Sequence, residues 1–347
     1  MRQGETARAD WAAAGRRRRV RVNAIICAAC AAILILPIAI EDPILQTWEL
    51  AAGDVLTDQR GGGKVDDRLV LVGIDDASLD VLDVLDEEVI EGVPELDAMS
   101  FGWSFPRSVY ATLAQKLIDA GARLVVFDMV FVTEEEGDEA FKAVIEANPD
   151  RIVLGCNLAV RDVIGTVGGL DRKEQLPSPS VLEIADGGDP RVGHVNFFPD
   201  LDSRVRELKP VMRSYANEAV PLYNSLALAA LRQLGMADWL DASGEEMPIR
   251  FPRFRGGEPI YTPLPLYTLF VPYDWEKSYA SGGAFKDKIV YVGGTSTVQF
   301  QDDALIPEDL ILGVQLQMCA LSAGLNGDFY TCLLYTSPSP RDLNPNL

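Results

Sequence analysis

The sequence predicts an α/β protein: a mostly parallel central sheet flanked by helices, with an antiparallel addition, preceded by one N-terminal transmembrane helix. Three observations support this. Leu69–Ile74 and Leu124–Phe127 are continuous apolar runs rich in β-branched residues, as central parallel strands are, and an amphipathic helical stretch lies between them. A further buried-strand pattern spans residues 288–292 and runs into Gly293-Gly294-Thr295-Ser296. Residues 22–40 contain no charged side chain and directly follow a basic cluster, Arg16 to Arg19 with Arg21.

The nineteen residues 22–40 reach about 28 Å as a helix, near the ~30 Å hydrocarbon core of a bilayer. A cleaved signal peptide has a shorter apolar core, about 7–15 residues, and a small-x-small cleavage site. The end of this run, Leu36-Pro37-Ile38-Ala39-Ile40-Glu41, lacks a clear one. An uncleaved signal anchor over 20–40 is favoured, with the bilayer as its partner. Residues 1–19 then form a basic cytoplasmic tail, because basic clusters stay on the cytoplasmic side. Residues 1–40 hold seven arginines against Glu5 and Asp10, a net +5; the whole chain is −21, which leaves −26 for residues 41–347. That acidic body is expected across an inner or plasma membrane, on the periplasmic or extracellular side. Its charge repels nucleic acid and anionic lipid, so the arginine run is a topology signal and no nucleic-acid partner is expected.

Residues 41–64 are expected to form a juxtamembrane helix and linker. Leu45, Trp48, Leu50, Val55 and Leu56 are the helix's apolar members, and Gly61-Gly62-Gly63 is a flexible joint. The main domain spans 65–330. Its first strand, Leu69–Ile74, ends in Asp75-Asp76, and residues 80–100 are acidic loop or short helix. Pro106 opens a helix whose apolar stripe is Val109, Leu113, Leu117 and Ile118, and Gly121 stops it. Leu124–Phe127 is the next strand, ending in Asp128 and completing a βαβ unit. A helix over 138–147 and a strand over 152–154 come next, then a Gly-, Asp- and Pro-rich loop over 160–190. Residues 192–198 and 205–212 form two strands, plausible as an antiparallel pair. Residues 221–234 form a long helix with an Ala/Leu face, 241–283 are mostly irregular, 288–292 is a last strand and 313–325 a last helix. Residues 331–347 carry no core pattern and resemble a translated sequencing adapter, so this tail is expected to be non-native and the gene to continue.

Several chemistries are disfavoured. The only histidine is His194 and no CxxC pair lies outside the apolar run, which leaves nothing for a His/Cys zinc site or a Ser-His-Asp triad. Cys156 and Cys319 are better read as buried free thiols than as a disulfide, because a domain this large needs no staple. His194 is better read as a core or edge strand residue than as a pH sensor, and Trp103, Phe105 and Tyr110 as core rather than a ligand wall. Asp75 and Asp76 are adjacent, and Asp128 is followed by Met129-Val130, so the paired aspartates of a haloacid-dehalogenase-type phosphatase are missing. No P-loop or GxGxxG is present, and no cofactor is expected.

An ordered series of landmarks carries a resemblance. It runs Val72-Gly73-Ile74-Asp75-Asp76-Ala77-Ser78-Leu79, then Trp103-Ser104-Phe105-Pro106-Arg107 with Tyr110-Ala111, then Gly121-Ala122 to Phe127-Asp128 and Phe131. It continues through Gly193-His194-Val195-Asn196, Asp200, Asp202, Arg204-Val205-Arg206, Leu208 and Ser225-Leu226-Ala227, and Val290-Tyr291-Val292-Gly293, Asp302, Pro307 and Gly313-Val314 close it. Over about residues 45–327 the chain resembles the type-two CHASE domain, the extracellular sensory domain associated with cyclases and histidine kinases. The chain departs from that pattern at Ser104 and Phe105, where a Trp and a Pro are usual. It departs again at Ser203, where a Gly is usual, and at Gln315-Leu316-Gln317, where a His commonly comes after the closing Gly-Val. The resemblance implies the input domain of a bacterial membrane receptor with a cytoplasmic nucleotide cyclase or histidine kinase beyond it, and no catalysis in the present chain.

The candidate ligand site is the carboxyl edge of the sheet, where open α/β sheets bind ligands. Asp75, Asp76 and Asp128 stand at the ends of strands expected to be neighbours. They could hold a cation or accept hydrogen bonds, or they could cap helices and pair with an arginine such as Arg107. Thr295 and Ser296 could hold an anion, or Gly293-Gly294 could simply be a tight turn. Three functions fit these residues: a sensor of an unknown small-molecule or envelope ligand, a membrane-anchored hydrolase using Asp75 and Asp128, or an interaction module that binds another envelope protein or forms a homodimer through the 45–60 helix.

Overall fold

The computed structural model describes residues 43–158, 161–162, 170–171, 174–185, 188–213, 222–237, 246–253, 258–280, 283–296, 298–300 and 302–329. The expected basic tail, the anchor over 20–40 and the segment 331–347 lie outside the described residues. Among the described residues no helix is long and apolar enough to cross a membrane.

The chain divides into two units, one ending at Arg60 and one starting at Gly61. In the first, helix α1 (Pro43–Arg60) forms where expected and buries none of its side chains; Ile44, Leu45, Trp48, Val55 and Leu56 are exposed.

In the second unit the strands are, in chain order, β1 (Leu69–Ile74), β2 (Leu124–Phe127), β3 (Ile152–Cys156), β4 (Arg161–Asp162), β5 (Leu170–Asp171), β6 (Val192–His194), β7 (Glu207–Leu208), β8 (Val211–Arg213), β9 (Leu222–Ser225), β10 (Met247–Pro248), β11 (Leu264–Pro265), β12 (Ile289–Gly294), β13 (Asp303–Leu305) and β14 (Leu310–Leu312). The helices are α2 (Asp76–Leu79), α3 (Glu87–Glu91), α4 (Pro94–Ser100), α5 (Arg107–Asp119), α6 (Asp138–Ala147), α7 (Leu226–Gln233), α8 (Pro272–Asp274) and α9 (Gly313–Asn326).

The main sheet has the order β11-β1-β12-β2-β3-β6-β9-β8. Every neighbouring pair is parallel except β8 with β9. This is the expected mostly parallel sheet with an antiparallel addition. Side chains alternate between two cores, as strand geometry requires. In β2, Val125 and Phe127 join one core with Leu113 and Leu117 of α5 and Phe141 of α6. Leu124 and Val126 join the other with Leu231 of α7 and Leu321 of α9. Helices thus cover both faces, which is why the strands read as unbroken apolar runs. On the first face Tyr110, Phe127, Phe131 and Phe141 form an aromatic cluster, with ring centroids 5.1 Å apart for the Phe131–Phe141 pair.

Four expectations need correction. Residues 192–198 and 205–212 do not pair with each other: β6 lies parallel between β3 and β9, β7 pairs with β10, and β8 pairs with β9. The helix expected over 221–234 begins only at Leu226, because Leu222–Ser225 is taken into the sheet between β6 and β8. Ser225 then caps α7 by accepting from the Leu228 N–H at 3.2 Å. Pairing within the sheet overrides the helical spacing of those residues. The glycines 61–63 are docked: Gly63 N–H donates to the Phe251 carbonyl at 2.7 Å, and a Cβ on Gly62 would stand 2.6 Å from the Arg253 backbone nitrogen. Their role is close backbone approach. Trp103 is 39 % exposed, whereas Phe105 and Tyr110 are fully buried as expected.

Cys156 and Cys319 are buried free thiols. His194 is buried in β6 with neither ring nitrogen hydrogen-bonded, and burial holds its imidazole down at about 4. A histidine lowered on folding adds stability that is lost as pH falls from about 6.5 through the folded value. Between pH 7 and 4 the stability gap between His194→Gln and the parent should therefore move by about 3 kcal/mol in the variant's favour, read by denaturant titration at each pH. An unchanged gap would exclude a buried neutral imidazole. Ser203, at the place where the resembled family has glycine, closes a turn with φ +65°, donating its N–H to the Asp200 carbonyl at 2.9 Å. Left-handed backbone strains a non-glycine residue, so Ser203→Gly should raise the unfolding free energy by about 1 kcal/mol. Lower stability in thermal or chemical melts would contradict that.

Candidate functional site

The carboxyl edge of the sheet gathers the ends of β1, β12, β2, β3 and β6 and carries two separate polar clusters. The strand order places β12 between β1 and β2, so Asp75 and Asp128 do not stand on neighbouring strands as expected.

The first cluster joins the ends of β1 and β12. Asp75 is the N-cap of α2: its carboxylate accepts from the Ser78 N–H at 2.9 Å and the Ser78 hydroxyl at 2.6 Å. Asp76 accepts from the Ser296 hydroxyl, and Ser296 Oγ in turn accepts from the Gln299 N–H at 3.0 Å. The Thr295 and Ser296 N–H groups both donate to the Ile74 carbonyl. The turn after β12 is thereby tied back onto β1, and the Thr295 and Ser296 backbone donors are consumed. Thr295 Oγ1 is buried without a partner. Gly294 leaves room for the Phe300 ring, 2.6 Å from where a Cβ would sit, and Phe300 packs edge-on against Trp103.

Arg107 lies elsewhere. It opens α5, is buried, and pairs with Glu135 at 3.4 Å and Asp138 at 3.5 Å, its guanidinium 4.7 Å from the Phe131 ring centre. It pins the acidic 134–138 segment to the core and does not meet Asp75, Asp76 or Asp128 among its ion pairs.

The second cluster surrounds Asp128, at the end of β2. A pocket of about 440 Å³ opens there, with Asp128, Asp302, Ser203 and Gln317 in its walls and Met129, Val195, Phe197 and Leu316 as apolar lining. Burial, followed by the charge of Asp302, pushes the Asp128 carboxyl up to about 8. Two glycines make the geometry possible. A Cβ on Gly293 would stand 2.8 Å from Val314 and 3.3 Å from Cβ of Asp128, so glycine lets the first turn of α9 approach the strand end. A Cβ on Gly313 would stand 2.2 Å from the Asp302 carboxylate, which fills the vacant space beside that turn. Anionic groups are favoured there by the helix dipole.

The outer wall is a braced strap. Arg206 holds Asp200 at 2.7 Å and Asp202 at 2.6 Å, and its hydrogen bonds hold the Asp202 carboxyl down at about 2. Arg204 donates to the carbonyls of Ile306 and Pro307 at 2.9 and 2.6 Å, and Val205 N–H donates to the Leu305 carbonyl at 2.7 Å. The Asp200–Arg206 turn and the β13–β14 ribbon are thus one unit. A second groove, about 730 Å³ and more open, runs along α5 and α6 beside Lys116 and Trp275, away from the strand ends.

Of the six candidate residues, the structure brings together Asp75, Asp76, Thr295 and Ser296, sets Asp128 with Asp302, and leaves Arg107 apart. Sequence reasoning missed Asp302 and Gln317 as partners of Asp128. The available signal was Gly313 at the start of the last helix, with Asp302 shortly before it.

A model of the CHASE2 domain family matches residues 27–338. No curated protein and no solved structure matches the chain. The type-two CHASE resemblance of the ordered motifs is borne out, and the family is one of extracellular sensory, non-catalytic domains. With nine-tenths of its length covered by that match, the chain belongs to the CHASE2 domain family.

Proposed function

We propose that this CHASE2 chain is the extracytoplasmic input domain of a membrane-bound signalling receptor. It is held by a signal anchor over 20–40 and relays ligand binding to a cytoplasmic output module such as a nucleotide cyclase or histidine kinase. The observation that carries the ligand-sensing part is the pocket at Asp128. It lies at the carboxyl edge of a parallel sheet, and its walls include Gly313, Leu316 and Gln317 of α9. A ligand there touches β2, the strap and the first turns of α9 together. It can shift a two-state equilibrium only by its differential affinity for the two arrangements, and three separately tied elements give it something to discriminate.

The anchor rests on the uncharged run 22–40 behind Arg16 to Arg19, and the sidedness on the contrast between a +5 leader and a −26 body within a chain of −21. Helix α1, running into Gly61 with an exposed apolar set, serves as the juxtamembrane link and as the surface for a homodimer. Asp75, Asp76, Thr295 and Ser296 hold the turn that frames the edge, and Asp128 is the ligand-facing residue. Alkaline phosphatase fused after Arg60 should be active in intact bacterial cells, and green fluorescent protein fused at the same position should be dark. The reverse pattern would place the body in the cytosol and end the receptor reading.

A further inference from the structure

The polar side chains in the walls of the Asp128 pocket are mostly carboxyl and amide groups that can accept hydrogen bonds. Its charged lining consists of Asp128, Asp302 and Asp303, and no lysine, arginine or histidine reaches it among the described residues. Neither the Asp128 nor the Asp302 carboxylate has a hydrogen bond or ion pair among the described residues. Gln317, 3 % exposed, supplies an independent sign. Its Nε2 donates to the Val195 carbonyl at 2.8 Å, which fixes the amide, and its Oε1 is left with no partner. Buried acceptors are normally satisfied, so an orphan beside two unpaired carboxylates marks a place that lacks a donor. The rest of the lining, including Met129, Val195, Phe197 and Leu316, is apolar.

We propose that this pocket binds a small organic cation, a primary alkylammonium, with its N–H groups on Asp128, Asp302 and Gln317 Oε1 and its hydrocarbon against the apolar wall. This names the ligand class of the sensory site proposed above and rests on that reading for its role in signalling. A neutral polyol brings donors but no positive charge to balance Asp302 or to favour the ionised form of Asp128. A divalent metal ion needs more oxygen ligands than two carboxylates and an amide supply, and among the described residues no group of three or more acidic, His or Cys side chains is placed to hold one.

Proton linkage gives a second signature. With the Asp128 carboxyl pushed up to about 8, an incoming ammonium must ionise it and release a proton. The groups facing it are Asp302 and Asp303 and the Tyr291 hydroxyl of β12; from α9 only uncharged residues, Gly313, Leu316 and Gln317, line the pocket. Affinity should therefore rise as pH rises from 6 to 8, by up to about tenfold per unit, while an alkylamine remains charged.

The test is calorimetry on the solubilised full chain with butylammonium and phenethylammonium. Butanol, phenethyl alcohol, phenylacetate and Ca²⁺ alone serve as comparison probes. The ammonium probes should bind, the neutral and anionic isosteres should not, and Asp128→Asn and Asp302→Asn should each weaken binding at least tenfold. Asp302 lies at the exposed rim, so its variant tests the site without disturbing the core. Equal binding of the isosteres, binding that survives both variants, no binding of either ammonium, or saturation by Ca²⁺ that expels the ammonium would each overturn the proposal. Hydrogen exchange along α9 on the same samples separates this result from the sensor reading. Ammonium binding that leaves α9 unchanged upholds the ligand class and counts against the relay; absent binding removes the ligand class alone.

Discussion

Burial of one parallel sheet on both faces is the constraint on which the rest of this molecule depends. Each central strand must supply apolar residues to both sides, as β2 does with Leu124 and Val126 against one helical layer and Val125 and Phe127 against the other. Each such side chain contributes about 1.5–3 kcal/mol when fully buried. No face remains for polar chemistry, so polar groups are pushed to the strand ends. At the carboxyl edge the parallel strands point their last residues the same way, and Asp75, Asp128, Asn157 and Thr295 emerge there. A charge in the sheet interior would be far costlier than one at this edge.

Glycine decides how closely the second layer can approach that edge. Gly293 lets Val314 sit against the end of β12, and Gly313 yields its side-chain space to the Asp302 carboxylate. The same device recurs at Gly193, where a Cβ would stand 2.6 Å from Cα of Leu226, so β6 and the start of α7 pack backbone to backbone. Close approach brings the start of α9 beside Asp128 and makes a helix terminus part of the pocket. A sensory domain needs such a junction: a ligand touching both a fixed strand end and a helix start can favour one arrangement over another.

The motifs that looked alike in the sequence separate by role in three dimensions. Asp75 and Asp128 both come directly after an apolar strand, yet one caps α2 and the other has no hydrogen-bond partner for its carboxylate among the described residues. Their downstream neighbours make the difference. Ser78 stands three residues after Asp75 and returns both its N–H and its hydroxyl, whereas Met129 and Val130 offer Asp128 nothing comparable. Arg204 and Arg206 are structural braces whose partners lie at Asp200, Asp202, Ile306 and Pro307. Ile306 and Pro307 lie 102 and 103 residues from Arg204 in sequence, a pairing no local pattern announces.

Local physics was enough for the strands β1 and β2, the helices α1, α5, α6 and α9, and the mostly parallel class of the sheet, because apolar periodicity and end signals are properties of short segments. The family was legible too, since ordered motifs survive in the linear chain. Strand order was not: β12 enters between β1 and β2 from far downstream, and Leu222–Ser225 joins the sheet against its own helical spacing. These outcomes depend on which backbone edges are left open once the layers pack. The meeting of Asp128, Asp302 and Gln317 is of the same kind, because only the closed fold brings the start of the last helix to the end of the second strand.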